Sequence, residues 1–433
     1  MFGYYLDLAL HSLKRNKVLT ALMVLAIALG IGASMTTLTV LHVLSGDPLP
    51  GKSQTLFVPQ LDPEDMDGYQ PSDEPPDQMT WIDGMNLLRA GRADHQALMV
   101  GGSVPVEPAN ANVDPFYADA RYTTADFFTM FNVPMLYGHA WTTSDDNSKA
   151  RVAIITSTLN NKLFDGKDST GQTLQLGDDS LRIIGVLNNW RPSPHYYDLR
   201  MGGSFALAED VYVPLSTSRD LGLTINGSIN CWGGHRSDQM ATAPCTWLQF
   251  WVELDSPAKV VAYKEYLTHY SQDQKSLGRF QRPVNVRLRD LMGWLDYQRV
   301  VPSDVQLQTW LAFGFLLVCL VNTVGLMLAK FMRRASELGV RRALGASKRA
   351  LFMQLLVESG VIGLSGGIGG LLLAALGLWL VRQRASDYAT LAHLDMSMLL
   401  ATFLLAVSAS LVAGLLPAWR ACQVTPGLQL KSN

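Results

Sequence analysis

The sequence predicts an α-helical membrane protein whose four transmembrane helices carry a large mixed α+β domain outside the cytoplasm. Three observations favour this fold class. Four segments are long, apolar and almost free of charge, a polar stretch at 45–306 separates the first from the other three, and basic residues gather at particular ends of these segments. A helix needs about 20 apolar residues to cross the hydrocarbon core of a bilayer, and all four segments reach that length.

The four apolar segments set the boundaries of the predicted elements. A signal peptide has an apolar run of about 7 to 15 residues, whereas the first segment is longer and lacks a small-residue cleavage site, so we expect an uncleaved anchor. Buried helices of a large soluble protein are the other interpretation, which the lengths and the basic flanks disfavour. The predicted order is a cytoplasmic segment at 1–17, transmembrane helix one at 18–44, the outer domain at 45–306, helix two at 307–329, a cytoplasmic coupling loop at 330–350, helix three at 351–381, a short outer loop at 382–393, helix four at 394–416 and a cytoplasmic C-terminal segment at 417–433.

Basic residues predict the orientation of the chain in the membrane. They precede helix one at 14–17 and crowd the coupling loop at 330–349, and Arg420 follows helix four. Short loops rich in Lys and Arg stay on the cytoplasmic side, so both termini are expected there; Arg382 and Arg384 in the short outer loop are the exceptions. We therefore expect a multi-pass membrane protein, surrounded by membrane lipids, with both termini in the cytoplasm.

The polar middle of the chain predicts the outer domain. Residues 45–75 are rich in Pro, Asp and Gly, which is typical of an extended connector. From 120 to 190, β-branched runs alternate with a helical run and with Gly-Asp turns, which predicts strands around a helix. A mixed α+β domain is the simplest interpretation, with a second, less regular lobe at about 192–282.

Two of the four Cys lie close together in that second lobe. Cys231 and Cys245 are on the side of the membrane where thiols oxidise, so we expect a disulfide between them. His235 lies between them and makes a metal site the alternative, but one His and two Cys at this spacing form a weak zinc pattern. We therefore predict no metal site.

One segment matches a nucleotide-binding motif by residue type but not by its expected backbone structure. Residues 46–53 read GDPLPGKS and fit the Walker A pattern, in which backbone N–H groups surround a phosphate. Pro48 and Pro50 remove two of those donors, and no helix is predicted to follow. We reject this site, and because no other catalytic constellation is found, no catalytic residue is predicted and the chain is not expected to be an enzyme.

The charge of the chain argues against a nucleic-acid partner. The formal net charge is -2, so the chain has no surplus of Lys and Arg with which to neutralise phosphates.

The coupling loop and helix three contain the densest pattern in the chain. Helix two is expected to continue past the membrane as a basic helix that ends near Gly345, with Glu337 pairing with Arg333 and Arg341 at i,i+4 spacing. An ordinary cytoplasmic loop would account for the basic residues but not for the run LGVRRALGAS. Asn322 and Glu358 lie at membrane depth, where a polar group is costly unless it is paired, so each is expected to face another helix. Small residues permit close helix packing in helix three, namely Gly363, Gly366, Gly367 and Gly370.

At these positions the sequence resembles the MacB-type ABC permeases, the family of the MacB efflux pump, the LolC and LolE lipoprotein extractors and FtsX. The loop motif is similar to the family's E-[IL]-G-x-x-[RK]-A-x-G-A-[ST] segment, and the ending LLPAWRACQVTPGLQLK is similar to its PAxRAxxxxPxxAL ending. Glu358 and the glycines resemble the family's acid and glycine run. Between residues 126 and 186, DFF, YGHAW and GQTLQLGDDSLRIIGV resemble strands of its periplasmic core domain.

The resemblance implies a location in a bacterial inner membrane, a function and a set of partners. Two permease chains, identical or paralogous, would pair with a cytoplasmic ABC ATPase dimer, which binds ATP and Mg; because only residues 1–17 precede the first span, the ATPase is expected on a separate subunit. The residues expected to contact the ATPase are Arg334, Glu337, Gly339, Arg341, Arg342, Gly345, Ala346 and Ser347. The leading role is export of a periplasmic peptide, toxin, siderophore or drug with a periplasmic adaptor and an outer-membrane channel. Lipoprotein extraction and FtsX-like signalling without transport are the alternatives.

Overall fold

The computed structural model describes residues 2–109, 113–233, 240–383 and 396–423. The chain divides into two compact units. We call Met1–Gly46 together with Val301–Asn433 the helical unit, and Asp47–Val300 the α/β domain. In chain order the helices are α1 (Phe2–Arg15), α2 (Lys17–Ser45), α3 (Trp81–Ala90), α4 (Asp126–Met130), α5 (Thr143–Ser148), α6 (Ser157–Phe164), α7 (Leu215–Asp220), α8 (Pro257–Ser276), α9 (Leu291–Tyr297), α10 (Ser303–Arg333), α11 (Ala335–Ala343), α12 (Lys348–Arg382) and α13 (Met396–Gln423).

Four helices of the helical unit are long and apolar enough to cross a membrane: α2, α10, α12 and α13. The predicted fold class, four apolar helices with a large mixed α/β domain, is thereby confirmed. The predicted coupling loop at 330–350 is largely helical, because α11 fills its middle and the ends of α10 and α12 reach into it. Most of the predicted outer loop at 382–393, including Arg384, lies outside the described residues, as do Pro426 of the C-terminal motif and the rest of the chain after 423.

The core of the helical unit forms around α2. Met23, Ile27, Ile31 and Met35 recur every fourth residue, which places them on one face of that helix, and all four are fully buried. They pack in one cluster with side chains of α10 and α12, among them Leu316, Met327, Ile362 and Ala374. The helical period of the apolar residues therefore accounts for the packing of these three helices.

The strands of the α/β domain join in one mixed sheet. They are β1 (Leu56–Gln60), β2 (Met79–Thr80), β3 (His95–Glu107), β4 (Phe116–Thr123), β5 (Met135–Gly138), β6 (Val152–Thr156), β7 (Thr173–Leu176), β8 (Asp179–Leu187), β9 (Val211–Pro214), β10 (Asn230–Cys231), β11 (Cys245–Glu253) and β12 (Arg287–Asp290). The main path is β12-β1-β11-β3-β4-β9-β6-β8-β5, with β2 and β10 on β11, and β7 on β3 and β8. The pairs β4–β9 and β6–β8 are parallel, whereas the others are antiparallel.

Two expectations for this domain need correction. The stretch 45–75, expected as a connector, contains β1, whose five residues are all buried between β11 and β12. The second lobe expected at about 192–282 does not separate from the rest, because β9 and β11 from this range lie in the middle of the sheet. The prolines and acids around β1 are typical of a connector, so the short strand was not predicted. Strand β11 is buried at eight of its nine positions, so its sequence lacks the alternation of apolar and polar residues that indicates a strand.

The sulfur atoms of Cys231 and Cys245 are joined in a disulfide. The two residues face each other across the β10–β11 pair, so neighbouring strands hold the two ends of the bridge. His235, the third residue of the metal alternative, lies outside the described residues. A disulfide sulfur is not a thiolate, so the bonded pair offers no Cys ligand to zinc.

Candidate coupling site

The segment between α10 and α12 forms a bent helical elbow. Helix α10 ends at Arg333, and Arg334 breaks the helical path with φ -101° and ψ 9° before α11 begins. Gly345 has φ +100°, a conformation that favours glycine, and its N–H donates to the carbonyl of Arg342. Ser347 then begins α12, because its side chain accepts a hydrogen bond from the N–H of Ala350 at 3.2 Å. The expectation that helix two continues unbroken to Gly345 is therefore corrected, since the break comes at Arg334.

Charged residues along α11 hold the elbow together. Glu337 accepts hydrogen bonds from Arg341 at 3.3 Å and from Arg334 at 3.4 Å. Arg341 also donates to Gln354 of α12 at 3.3 Å, and Arg342 donates to the carbonyl of Cys422 in α13 at 3.5 Å. These contacts fix α11 against both later helices of the unit.

Glu358 lies at the centre of a buried ion cluster. Its side chain is 1% exposed, with one oxygen 2.8 Å from Lys330 Nζ and the other 3.1 Å from an Arg334 nitrogen. Ser12 of α1 donates a hydrogen bond to the same carboxylate and accepts one from Arg334 at 2.7 Å. Lys330 is fully buried and also donates to Thr20 of α2 at 3.4 Å. Side chains from α1, α2, α10 and α12 thus meet here; we call Ser12, Thr20, Lys330, Arg334 and Glu358 the ion cluster.

The charged members of the ion cluster depend on one another because they are buried. Burying a charge costs several kcal/mol, and the attraction between partners offsets this only where the geometry is good. Removing Glu358 therefore leaves Lys330 buried without an anion, at a typical cost of about 3–5 kcal/mol. The cluster joins the elbow at Arg334 to side chains of α1, α2, α10 and α12.

Sequence reasoning found part of this cluster. Glu358 was expected to need a partner, and it has three. The sequence pattern places Lys330 among the basic residues of the coupling loop, and it does not single out Ser12. The position of Lys330 in the sequence could have indicated this pair. Lys330 is the first cation after the apolar part of helix two, so it is the cation that an acid inside helix three meets first.

The other intramembrane polar residue behaves differently. Asn322 is exposed on the surface of α10. The expectation that it faces another helix does not hold among the described helices of this chain.

The glycines of α12 lie where neighbouring helices approach closely. A Cβ atom added at Gly366 would lie 2.6 Å from Ile27 of α2, and one at Gly370 would lie 2.8 Å from Ile31. Gly363 and Gly367 face α13 in the same way, against Ser410 and Ala406. The alternation lets α12 pack against α2 on one side and α13 on the other.

The remaining predicted coupling residues lie on the elbow beside exposed apolar side chains. Gly339 is within α11, and Ala346 packs against the core of the helical unit. Leu344 is 83% exposed and Val340 is 54% exposed, although the next apolar residue, Leu338, is buried. Exposed apolar residues beside arginines are typical of a contact surface. Both lie within the predicted elbow, but the sequence pattern does not reveal that they are exposed.

The Walker-like segment of the α/β domain is occupied by structural contacts. Lys52 Nζ lies 3.0 Å from Glu253 and donates to the carbonyls of Thr129 and Met130 at 3.1 Å. Ser53 donates to Asp47 and to the carbonyl of Leu49. Since the lysine and the serine that would bind phosphate and metal are engaged within the domain, the geometry agrees with rejecting the motif.

A second buried ion cluster lies within the α/β domain. The Arg121 side chain is fully buried, 2.8 Å from Asp198 and in contact with Glu209. Tyr197 also donates to Glu209 at 2.8 Å. Burial opposes the charged form of Glu209, but Arg121 outweighs it and holds the pKa of this carboxyl well below its usual range. We interpret this cluster as structural, since its members are enclosed by aromatic rings.

Comparison with known proteins now defines the class. Residues 20–270 match the family described as the MacB-like periplasmic core domain, and residues 310–426 match the FtsX-like permease C-terminal family. The first match covers more than half of the chain. The chain therefore belongs to the MacB-like ABC transporter permeases, as its resemblance predicted.

Particular relatives include export proteins. The chain is 26% identical over 343 residues to the pyoverdine export ATP-binding/permease protein PvdT of Pseudomonas entomophila, covering 78% of this chain and 46% of that protein. It is 26% identical over 306 residues to the macrolide export ATP-binding/permease protein MacB 1/2 of Paracoccus denitrificans, covering 69% and 40%. The chain thus spans about half the length of the curated relatives it matches. Among solved structures, the periplasmic region of MacB from Actinobacillus actinomycetemcomitans aligns with 56% of this chain and 92% of its own length, with 14% identity and a TM-score of 0.36.

Proposed function

We propose that this chain is the permease subunit of an ABC-type export machine that transmits the motion of a cytoplasmic ATPase dimer to the α/β domain. Two permease chains, identical or paralogous, would pair with two ATPase subunits that bind ATP and Mg. In this proposal both termini and the elbow are cytoplasmic, and the α/β domain and the short outer loop are periplasmic. The observation that carries the proposal is the elbow, which exposes Val340 and Leu344 while the ion cluster anchors it to the membrane helices.

The proposed mechanism follows the contacts outward from the elbow. The ATPase contact would consist of Arg334, Glu337, Gly339, Arg341, Arg342, Gly345, Ala346 and Ser347, with Val340 and Leu344 added from the structure. A push on α11 reaches α10 directly at Arg334 and reaches α12 through Gln354 and the ion cluster. Because Glu358 of α12 contacts Lys330 of α10, Arg334 at the elbow and Ser12 of α1, we propose that it sets the angle between the elbow and α12. The long helices α2 and α10 would then move the α/β domain.

Export is the role that the relatives favour. The two relatives are named for the export of pyoverdine and of macrolides. We therefore propose export of a periplasmic substrate of peptide, siderophore or drug type, with an adaptor and an outer-membrane channel as further partners.

Co-purification tests this proposal. The chain is expressed with candidate ABC ATPases from its gene neighbourhood, captured on a tag in lipid nanodiscs, and assayed for associated ATPase activity. We expect Leu344→Asp to abolish ATPase recovery, because it puts a charge on the exposed apolar surface that we propose contacts the ATPase. Leu277→Asp is the matched control, since Leu277 is 72% exposed on the α/β domain and should leave recovery unchanged.

A second variant tests the elbow conformation separately from its surface. Gly345→Ala strains a residue with φ +100°, whereas Gly360→Ala adds a methyl group where nothing lies within 4 Å. We expect the first to reduce coupled ATPase activity and the second to have no effect. Full ATPase recovery with Leu344→Asp, or no associated ATPase with the unaltered chain, would contradict the proposal.

A further inference from the structure

A groove in the α/β domain is large enough for a small molecule. Its volume is about 740 Å³, within the range of roughly 300–1,000 Å³ that ligand pockets occupy. Its walls come from α3, α5, α7 and the residues just before α4. All of these elements belong to the α/β domain, and no residue predicted from the sequence as functional lines the groove.

One wall of the groove is apolar and rigid. Trp81, Met85 and Leu88 lie on one face of α3, and each is only partly buried although it packs against the core. The Trp81 ring stacks on Trp247, with centroids 5.9 Å apart and an interplanar angle of 3°. Trp247 is 1% exposed, so it braces the wall from behind. A flat apolar body placed on this wall would meet preformed surface.

Two arginines at the groove have no anionic partner. Arg89 at the end of α3 and Arg219 in α7 both line it, and neither has a carboxylate oxygen within 4.0 Å among the described residues. Arg219 lies over the Trp247 ring at 5.5 Å, which leaves its N–H groups for another acceptor. By contrast, the third cation of the lining, Lys149, is paired with Asp220 at 2.8 Å.

The acids at the groove are held by the domain itself. Asp126 accepts a hydrogen bond from the Gln96 N–H at 2.9 Å and lies 3.6 Å from His95. Asp146 accepts from the Ala125 N–H at 2.8 Å. Burial raises the pKa of Asp146 to about 7, so this carboxyl is partly neutral near neutral pH and repels an anion less than an ordinary carboxylate.

We infer that this groove binds a small amphipathic molecule whose flat apolar body lies on Trp81, Met85 and Leu88 and whose single anionic group lies between Arg89 and Arg219. The inference deepens the proposed function and rests on it, because the bound molecule would be the export cargo or resemble it. The charge pattern is the deciding observation: an apolar wall alone accepts any hydrophobic molecule, whereas two unpaired guanidinium groups select an acid.

A matched pair of fluorescent probes tests this. Dansylglycine has an aromatic body and a carboxylate, and dansylamide has the same body without the charge. The full chain in lipid nanodiscs is titrated with each probe, and the signal from empty nanodiscs is subtracted. We expect dansylglycine to bind at least 10-fold more tightly than dansylamide.

Variants assign the binding to the groove. The double variant Arg89→Gln/Arg219→Gln should weaken dansylglycine binding by about 10-fold or more and leave dansylamide within about 2-fold, because charge-assisted hydrogen bonds are lost. Trp81→Ala should weaken both probes. Arg92→Gln is the control, since Arg92 lies over the Tyr266 ring and does not line the groove. Circular dichroism checks that each variant is folded.

Two results would overturn the inference: equal affinity for the two probes, or dansylglycine affinity that is unchanged in the double arginine variant. The measurement needs no ATPase, so its outcome is separate from that of co-purification. If the two probes bind equally while ATPase coupling is intact, the groove inference is overturned and the proposed function stands. Selective binding in a chain that recovers no ATPase would support the groove while contradicting the export machine.

Discussion

Glu358 shows how one residue can connect several helices. A carboxylate in an apolar helix is costly, and here it is offset by Lys330, Arg334 and the Ser12 hydroxyl. Because these partners come from different elements, the carboxylate stabilises their arrangement relative to one another. The same set would transmit a displacement of the elbow.

The first prediction concerns this carboxylate. Glu358→Gln leaves Lys330 buried without an anion, so we expect the free energy of unfolding of the helical unit to fall by about 3–5 kcal/mol. Adding Lys330→Met should recover much of the loss. Cys319 and Cys422 are free and buried, so their labelling by a thiol-reactive dye on heating reports unfolding of this unit.

Glu337→Gln provides the control for that experiment. The Glu337 side chain is 33% exposed, and partly exposed ion pairs contribute about 1 kcal/mol or less. An equal loss of unfolding free energy in Glu358→Gln and Glu337→Gln would contradict the prediction that the buried ion pair contributes more than the partly exposed one. Full ATPase coupling in Glu358→Gln would rule out its role in setting the elbow angle.

The second prediction concerns Asp146 and pH. Its pKa is raised by burial to about 7, against about 3.9 in an unfolded chain. Between these values the folded chain keeps a proton that the unfolded chain has lost, so the stability of the α/β domain falls as pH rises. We expect Asp146→Asn to reduce this slope between pH 5 and 7.5, by up to about 1.4 kcal/mol per pH unit.

Thermal unfolding followed by near-ultraviolet circular dichroism measures that slope. The control is Asp178→Asn, at an exposed turn between β7 and β8. A slope that is as steep in Asp146→Asn as in the unaltered chain would contradict the assignment of the proton to this carboxyl.

At the scale of elements, the long helices could be predicted from the sequence and several of their partners could not. Length and lack of charge were enough for α2, α10, α12 and α13, because a membrane span depends mainly on local composition. The break at Arg334 and the burial of Lys330 depend on side chains of α1, α2 and α12, which no local pattern reveals. In the α/β domain, β1 was hidden because its burial depends on β11 and β12 far along the chain.

The third prediction tests close helix packing. A methyl group at Gly366 would lie 2.6 Å from Ile27, so Gly366→Ala should push α12 away from α2 and cost about 1–3 kcal/mol. At Gly360 nothing lies within 4 Å, so Gly360→Ala should be neutral or stabilise the helix by up to about 1 kcal/mol. The same thiol-labelling measurement compares them, and equal stability of the two variants would contradict the packing role.

At the scale of the whole molecule, the family match and the elbow support one account. The chain belongs to the MacB-like ABC permeases, and we propose that its task is to carry motion from the elbow to the α/β domain. The sequence allowed the family and much of the elbow to be predicted, since their motifs are local. The exposed Leu344 and the groove beside Trp81 needed the structure, because exposure and cavities arise from packing.

Hydrogen–deuterium exchange of the reconstituted complex tests the central claim most directly. The permease with its ATPase is placed in nanodiscs, and exchange in residues 47–300 is compared without nucleotide and after addition of ATP and vanadate, which traps ADP and vanadate in the ATPase after hydrolysis. The account predicts that trapping changes exchange in the α/β domain, and that Gly345→Ala reduces the change while Gly360→Ala keeps it. An α/β domain whose exchange is identical in both states, in a complex that hydrolyses ATP, would contradict transmission of motion by this chain.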